Sequence, residues 1–229
     1  CRSRRSGPEP SGSARLDKLS SSPPPCRPAL PTSTALMVAC DSGHEICTRA
    51  LIDANAALDL QDHNGVTALM LACEKGHEAC VDMLIKAMAD VDLKDRRGWT
   101  ALMRACKADR DLCAHALLCA NARVDATNLN ECTALMMACE LDHDQCVREL
   151  IEADASLDAC EVDGWTALMM ACQNGHDVCV SALIQAGAGL NVTNKQRMTA
   201  LMVACQHGGE AANASCWISR DVSWHQAKV

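Results

Sequence analysis

The chain has 229 residues, of which 49 % are hydrophobic and only 2 % aromatic, and its formal net charge is −8. It contains no Phe and no Tyr, so its interior must be filled by aliphatic side chains, Met and Cys, which favours a thin layered structure over a thick core. The acidic balance argues against nucleic-acid binding because phosphate backbones are repelled. No apolar run reaches the ~18 residues that a membrane span requires.

Residues 1–30 form a segment rich in Ser, Pro and Arg that includes three Ser followed by three Pro at 20–25. Such a composition cannot fill a core, so we predict that this segment is disordered. We interpret it as a linker, with a proline-rich docking segment or part of a targeting peptide as alternatives. The chain begins with Cys1 rather than Met, which indicates a fragment or a processed protein.

One tripeptide, Thr-Ala-Leu, recurs at a constant spacing of 33 residues, starting at Thr34, Thr67, Thr100, Thr133, Thr166 and Thr199. A fixed spacing without insertions predicts six structural repeats. They start near residues 31, 64, 97, 130, 163 and 196 and form one array over residues 31–209. Residues 210–229 are then a degenerate capping helix or a disordered tail.

The unit that begins at Thr67 predicts two helices and a turn. Thr67 is a helix-capping residue type, and good helix formers follow it. Gly76 ends the first helix, because glycine accepts the left-handed backbone of a helix end. A second helix is predicted from apolar residues at 80, 81, 84 and 85. A non-helical stretch over 89–98 then closes the unit with a turn that contains Gly98.

The residue after each second helix is predicted to be left-handed. Most of the residue types at this position adopt that conformation at low cost, but Met88 does not. The five residues are Asn55, Met88, Asn121, Asp154 and Gly187.

This 33-residue unit resembles the ankyrin repeat. The matching residues are Thr67-Ala68-Leu69-Met70-Leu71-Ala72, Gly76-His77 and Ala89-Asp90-Val91-Asp92. In every repeat Ala replaces the family's Pro, and Met replaces its His, but both are helix formers. The resemblance implies an all-α helix–turn–helix repeat solenoid with Gly-tipped β-turn connections.

A Cys-x3-His-x2-Cys motif, which starts at Cys40, Cys73, Cys139 and Cys172, is the strongest candidate for chemistry. Its three soft ligands suit zinc or copper(I). No fourth ligand recurs beside them, and both Cys positions lie on apolar stripes, so we interpret the cysteines as core and predict no metal. A metal site and a redox-active pair remain the alternatives.

The same periodic cysteines predict reduced thiols rather than a disulfide framework, and therefore an intracellular, cytoplasmic protein. We predict no enzymatic activity, since almost every polar residue has a counterpart one repeat away, whereas catalytic groups converge in one cleft. No catalytic residue and no cofactor are therefore assigned.

Residues that differ between repeats are the candidates for binding. In ankyrin-like arrays the turn tips and first helices carry specificity, and Trp and Arg are enriched at binding hot spots. Trp99 and Trp165 have the alternative role of covering their own turns. The predicted protein-binding residues are His63, Asn64, Arg96, Arg97, Trp99, Lys107, Asn130, Asp163, Trp165 and Lys195.

Two hypotheses for function follow. The first is a monomeric scaffold or adaptor that binds another protein through its turn tips and concave face. The second is the regulatory or substrate-docking arm of a larger enzyme or channel whose catalytic domain lies outside this chain.

Overall fold

The computed structural model describes residues 33–207. The predictions for residues 1–30 and 210–229 therefore lie outside the described residues. Within 33–207 the structure contains eleven helices and no strand, with one isolated bridge between Cys160 and Thr166. The predicted all-α fold is confirmed. None of these helices is long and apolar enough to cross a membrane.

The helices alternate between an inner and an outer set. The inner helices are α1 (Ala35–Asp41), α3 (Ala68–Lys75), α5 (Ala101–Lys107), α7 (Ala134–Glu140), α9 (Ala167–Asn174) and α11 (Ala200–His207). The outer helices are α2 (Glu45–Asp53), α4 (Glu78–Lys86), α6 (Asp111–Cys119), α8 (Asp144–Glu152) and α10 (Asp177–Gln185). Each inner helix packs against the next inner helix, and each outer helix against the next outer helix. The arrangement is a helix–turn–helix solenoid.

The Thr of the repeated tripeptide starts each inner helix. Thr100, for example, has an extended backbone, and its hydroxyl accepts a hydrogen bond from the backbone N–H of Met103. This bond satisfies one of the N–H groups that the first turn of a helix leaves without a partner. The residue that defines the sequence period is therefore also the residue that sets where each helix begins.

The core is a continuous layer between the two sets of helices. In α5 the side chains of Leu102, Met103 and Cys106 are at most 1 % exposed, and Cys113 and Leu117 of α6 close the layer from the outer side. Equivalent residues are buried in the neighbouring repeats and join one hydrophobic cluster. Between residues 33 and 207, aromatic side chains contribute only at its edge, through half-buried Trp99 and Trp165.

The predicted left-handed residues after the outer helices are all found at positive φ. Asn55, Met88, Asn121 and Asp154 have φ between 55° and 67°, and Gly187 has φ 93°. Met88 is the outlier among them, because its side chain is 86 % exposed and still carries the strain of a left-handed backbone.

Met88→Gly should raise the free energy of unfolding by about 0.5–1 kcal/mol, since glycine removes the strain and no core contact is lost. Urea unfolding followed by far-ultraviolet circular dichroism measures this difference. Ala87→Gly is the matched control: Ala87 has φ −82°, so glycine there should lower stability. A lower midpoint for Met88→Gly would show that Met88 contributes packing.

Candidate functional site

The five connections between repeats are tight turns at residues 62–66, 95–99, 128–132, 161–165 and 194–198. In the second turn the backbone N–H of Asp95 donates to the carbonyl of Trp99 at 3.0 Å. The Asp95 carboxylate accepts two further bonds, from the N–H groups of Arg97 and Trp99, both at 2.8 Å. Because Asp95 is buried, these bonds hold the turn in a single conformation.

Three of the five turns have glycine at their left-handed position. At Gly98, with φ 78°, a Cβ atom would lie only 2.9 Å from the Cα of Asn128 in the next turn. Glu131 and Arg197 occupy the same position in two other turns with φ 62° and 61°. The turns are therefore one backbone type, and at Gly65, Gly98 and Gly164 a Cβ would meet the backbone of the next tip.

Hydrogen bonds between main chains join successive tips into a row. The N–H of Arg96 donates to the carbonyl of Asn64 at 2.8 Å, and the N–H of Leu129 donates to the carbonyl of Arg97 at 3.0 Å. Two more bonds of this kind, Val162 to Asn130 and Lys195 to Asp163, continue the row. The tip residues predicted from the sequence lie together on this row with exposed side chains: His63, Asn64, Arg96, Arg97, Asn130, Asp163 and Lys195.

The two predicted tryptophans are half-buried and pack against the core at the base of their turns. Trp99 also carries a cation on its ring, since the ammonium of Lys107 lies 4.8 Å from the ring centroid. A cation over an aromatic face is attracted by about 0.5–1 kcal/mol at an exposed site. Trp99 therefore both covers its own turn and presents part of its ring beside a charged group. Trp165 lies two tips further along the row.

A surface depression of about 350 Å³ opens beside Trp99. The turn supplies Asp95, Arg97 and Trp99, helix α3 supplies Glu74, and helix α5 supplies Arg104 and Lys107, with Ala108 directly after it. The structure thus brings three predicted residues, Arg97, Trp99 and Lys107, into one depression. Trp165 and Lys195 do not line it.

Arg104 also lines this depression and was not predicted from the sequence. Its side chain is 18 % exposed, and its Nη2 donates to Oδ2 of Asp95 at 2.7 Å. Its Nη1 is paired with Oε2 of Glu74 on the neighbouring inner helix. Its Nε is buried without a hydrogen-bond partner among the described residues. The available sequence indication was a charged residue at a position that is apolar in other repeats, as at Leu71 and Met137.

Three of the four histidines of the Cys-x3-His-x2-Cys motif bond backwards to the preceding repeat. Nδ1 of His143 lies 2.8 Å from the carbonyl oxygen of Cys106, and Nδ1 of His176 lies 2.9 Å from that of Cys139. Nε2 of His77 lies 3.1 Å from the carbonyl oxygen of Asp41. One ring nitrogen of each of these three histidines is therefore engaged in joining repeats.

The cysteines of the motif are mostly core side chains. Burial raises the pKa of Cys40 and Cys172 to about 11 and that of Cys73 well above its ordinary value, so these groups remain neutral thiols at physiological pH. Within residues 33–207 no group of three His, Cys, Asp or Glu side chains has the arrangement of a metal site.

The interpretation of both motif cysteines as core is wrong for Cys47. It is exposed, whereas Cys80, at the same position one repeat later, is buried with its Sγ 3.6 Å from the hydroxyl of Thr48 in the preceding repeat. The second cysteine of the motif is covered by the repeat before it. Cys47 belongs to the first described repeat and has no such cover within the described residues.

An outer-face hydrogen-bond chain links α6 to α8. Nε2 of His115 lies 3.5 Å from Sγ of Cys119, and its Nδ1 lies 2.7 Å from Oε2 of Glu149. The hydrogen bond to Glu149 and the negative charge of that residue raise the pKa of His115, and the charge of Glu152 adds a smaller increase. Cys119 is the last residue of α6 and Glu149 lies on α8, so the chain joins two neighbouring repeats.

A row of aspartates, each between an outer helix and the turn that follows it, also joins repeats, and this role was not predicted from the sequence. Oδ1 of Asp92 accepts from the N–H of Arg123 at 2.8 Å, and Oδ1 of Asp158 accepts from the N–H of Gly189 at 2.7 Å. Asp59 and Asp125 make the same bond. Their regular spacing in the sequence was visible, but the donors, 31 residues away, were not.

Comparison with known protein families shows which family the chain belongs to. A family model described as ankyrin repeats (3 copies) matches residues 19–95, 36–128, 87–159 and 135–214, which is most of the chain. The protein belongs to the ankyrin repeat family. Repeats of this family are generally modules of protein–protein interaction and are typically not catalytic. The chain has no significant match among curated proteins.

We predict that the motif cysteines stay reduced and bind no metal, because burial raises the pKa of Cys40, Cys73 and Cys172 and a metal ligand must be a thiolate. Metal analysis of protein that has not met a chelator should find no stoichiometric zinc, and adding a chelator should leave helicity unchanged. Stoichiometric zinc, or unfolding by the chelator, would contradict this prediction.

Asp95→Ala should destabilise the protein by roughly 1–3 kcal/mol more than Asp62→Ala. Both carboxylates accept two backbone N–H groups of their own turn, but only Asp95 also holds an arginine. The difference between the two unfolding free energies therefore isolates the contact with Arg104. If Asp95→Ala and Asp62→Ala lose the same unfolding free energy, the ion pair with Glu74 is sufficient for Arg104.

Proposed function

We propose that this chain is a protein-binding scaffold or adaptor whose six repeats, over residues 31–209, hold a partner along the turn tips and the concave inner-helix face. The proposal includes a monomeric state and an intracellular setting, which the reduced, periodic cysteines favour.

The observation that carries this proposal is the row of tips. Seven of the predicted residues stand exposed on consecutive turns, and the main-chain bonds between the turns fix their spacing. Binding of a partner to such a row costs the scaffold little conformational entropy, because the tips are already ordered before contact. The side chains on the row differ between repeats while the buried residues beneath them hardly change, which suits a surface selected for recognition.

The exposed cations on this row support a protein partner over a nucleic acid. Arg96, Arg97 and Lys195 are spread over two separate tips, and acidic side chains such as Asp163 stand between them. A nucleic-acid surface requires a continuous basic patch that neutralises several phosphates. A mixed row of this kind matches the alternating charges and apolar groups of a polypeptide.

Trp99→Ala and Trp165→Ala should each weaken binding of a protein partner by about 1–3 kcal/mol, because truncating a tryptophan at an interface removes a large contact. A partner is first captured with the full chain and then titrated against each variant. The control is Asp82→Ala on outer helix α4, where Asp82 pairs only with exposed Lys86.

Helicity of all three variants is compared by circular dichroism, since both tryptophans also pack against the core. If both tryptophan variants keep their helicity and their affinity, the partner binds elsewhere and the tip-row proposal is wrong.

A further inference from the structure

Repeat three differs from its neighbours by basic residues on the inner face. Arg97, Arg104 and Lys107 all line the depression beside Trp99. Position 97 corresponds to Asn64, Asn130, Asp163 and Gln196, position 104 to Leu71, Met137 and Met170, and position 107 to Asp41, Glu74, Glu140 and Gln173. In no other repeat are these three positions basic. Three departures from one repeated framework, all directed to one depression, indicate a local function rather than a requirement of the fold.

The charges in the depression are only partly compensated. The guanidinium of Arg104 is matched by Asp95 and Glu74, which form its two ion pairs. Arg97 and Lys107 make no ion pair with any residue in 33–207, and Lys107 lies instead over the ring of Trp99. Two free cations therefore flank a half-buried aromatic ring on a chain whose net charge is −8.

We propose that this depression binds a carboxylate-bearing side chain from an acidic, extended segment of the partner protein. The proposal rests on the proposed scaffold function and names the partner chemistry at one point of that surface. The carboxylate pairs with Arg97 and Lys107, since arginine offers two parallel N–H donors to a carboxylate. An apolar neighbour in the segment then covers the exposed part of the Trp99 ring.

The size and the walls of the depression select this occupant. A volume of about 350 Å³ accommodates a few side chains but not a folded surface. Asp95 and Glu74 hold Arg104 in place and also add negative charge to the wall, which disfavours a polyphosphate with its dense and continuous charge. A segment with spaced carboxylates between apolar residues meets the cations without placing further charge against the acidic wall.

The test uses the full chain and a fluorescein-labelled peptide of alternating glutamate and leucine, with binding followed by fluorescence anisotropy. Wild-type protein should bind this peptide, and raising the salt concentration should weaken the binding, because these partly exposed charges are screened. A peptide of alternating lysine and leucine should not bind.

Lys107→Glu, which installs the residue that repeats two and four carry, should weaken binding at least about tenfold. Arg97→Asn, which installs the residue of the same neighbouring repeats, should do the same. Lys86→Glu is the matched control, with an identical charge change on outer helix α4, and its affinity should stay within about twofold of wild type. Lys107→Met provides a neutral second variant in case Lys107→Glu lowers helicity.

Several outcomes would overturn the inference. The wild-type protein could fail to bind the glutamate peptide at about 1 mM, or it could bind the lysine peptide equally well. Lys107→Glu and Lys86→Glu could lose the same amount of affinity. Lys107→Met and Arg97→Asn could both bind the peptide as tightly as wild type. Displacement of the peptide by a single-stranded oligothymidylate at equal concentration would assign the site to phosphate instead.

A captured partner separates this inference from the scaffold function. If that partner requires Trp99 but is insensitive to Lys107→Glu, the scaffold proposal stands and the acidic occupant is wrong. If the substitutions at Trp99, Trp165 and Lys107 all leave the affinity for the partner unchanged, both proposals are wrong.

Discussion

The structure depends on one constraint: each repeat is too small to bury its apolar side chains alone and must bury them against its neighbours. The inner helices contribute Leu, Met, Ala and Cys, none of which is branched at Cβ, and these side chains allow adjacent helices to pack closely. Every additional contact between repeats reinforces this stacking, including the histidine bonds to the preceding repeat and the aspartate bonds to the following one. The tip row follows from the same constraint, because stacking at a fixed spacing brings successive turns into hydrogen-bonding distance.

Features that are local in sequence could be predicted. The Thr-Ala-Leu period predicted the inner helices, and the position after each second helix predicted a left-handed residue there, including Met88, whose residue type does not favour it. The contacts of Arg104 could not be predicted in this way, since Glu74 lies 30 residues away and Asp95 nine. Cys47 shows a second limit, because its pattern matches that of Cys80 and only the presence of a preceding repeat decides burial.

The tip residues were predicted as a set of variable positions, but the geometry of the set was not. The sequence contains no indication that Lys107 lies over Trp99 or that Arg97 joins both in one depression. Arg97 and Trp99 belong to a turn, whereas Lys107 lies at the end of the helix that follows it. From the sequence, Trp99 and Trp165 were predicted to have the same role. Their environments differ, because only the turn of Trp99 is followed by an inner helix that carries Arg104 and Lys107.

Methionine occupies the same buried position in five successive inner helices, at Met37, Met70, Met103, Met136 and Met169. A methionine side chain has three rotatable bonds and fills irregular gaps, whereas β-branched side chains have one preferred shape. When neighbouring repeats tilt relative to each other, these side chains can follow by changing rotamer, so no cavity has to open. The methionine layer can therefore take up small differences in tilt between repeats without strain concentrating at one interface.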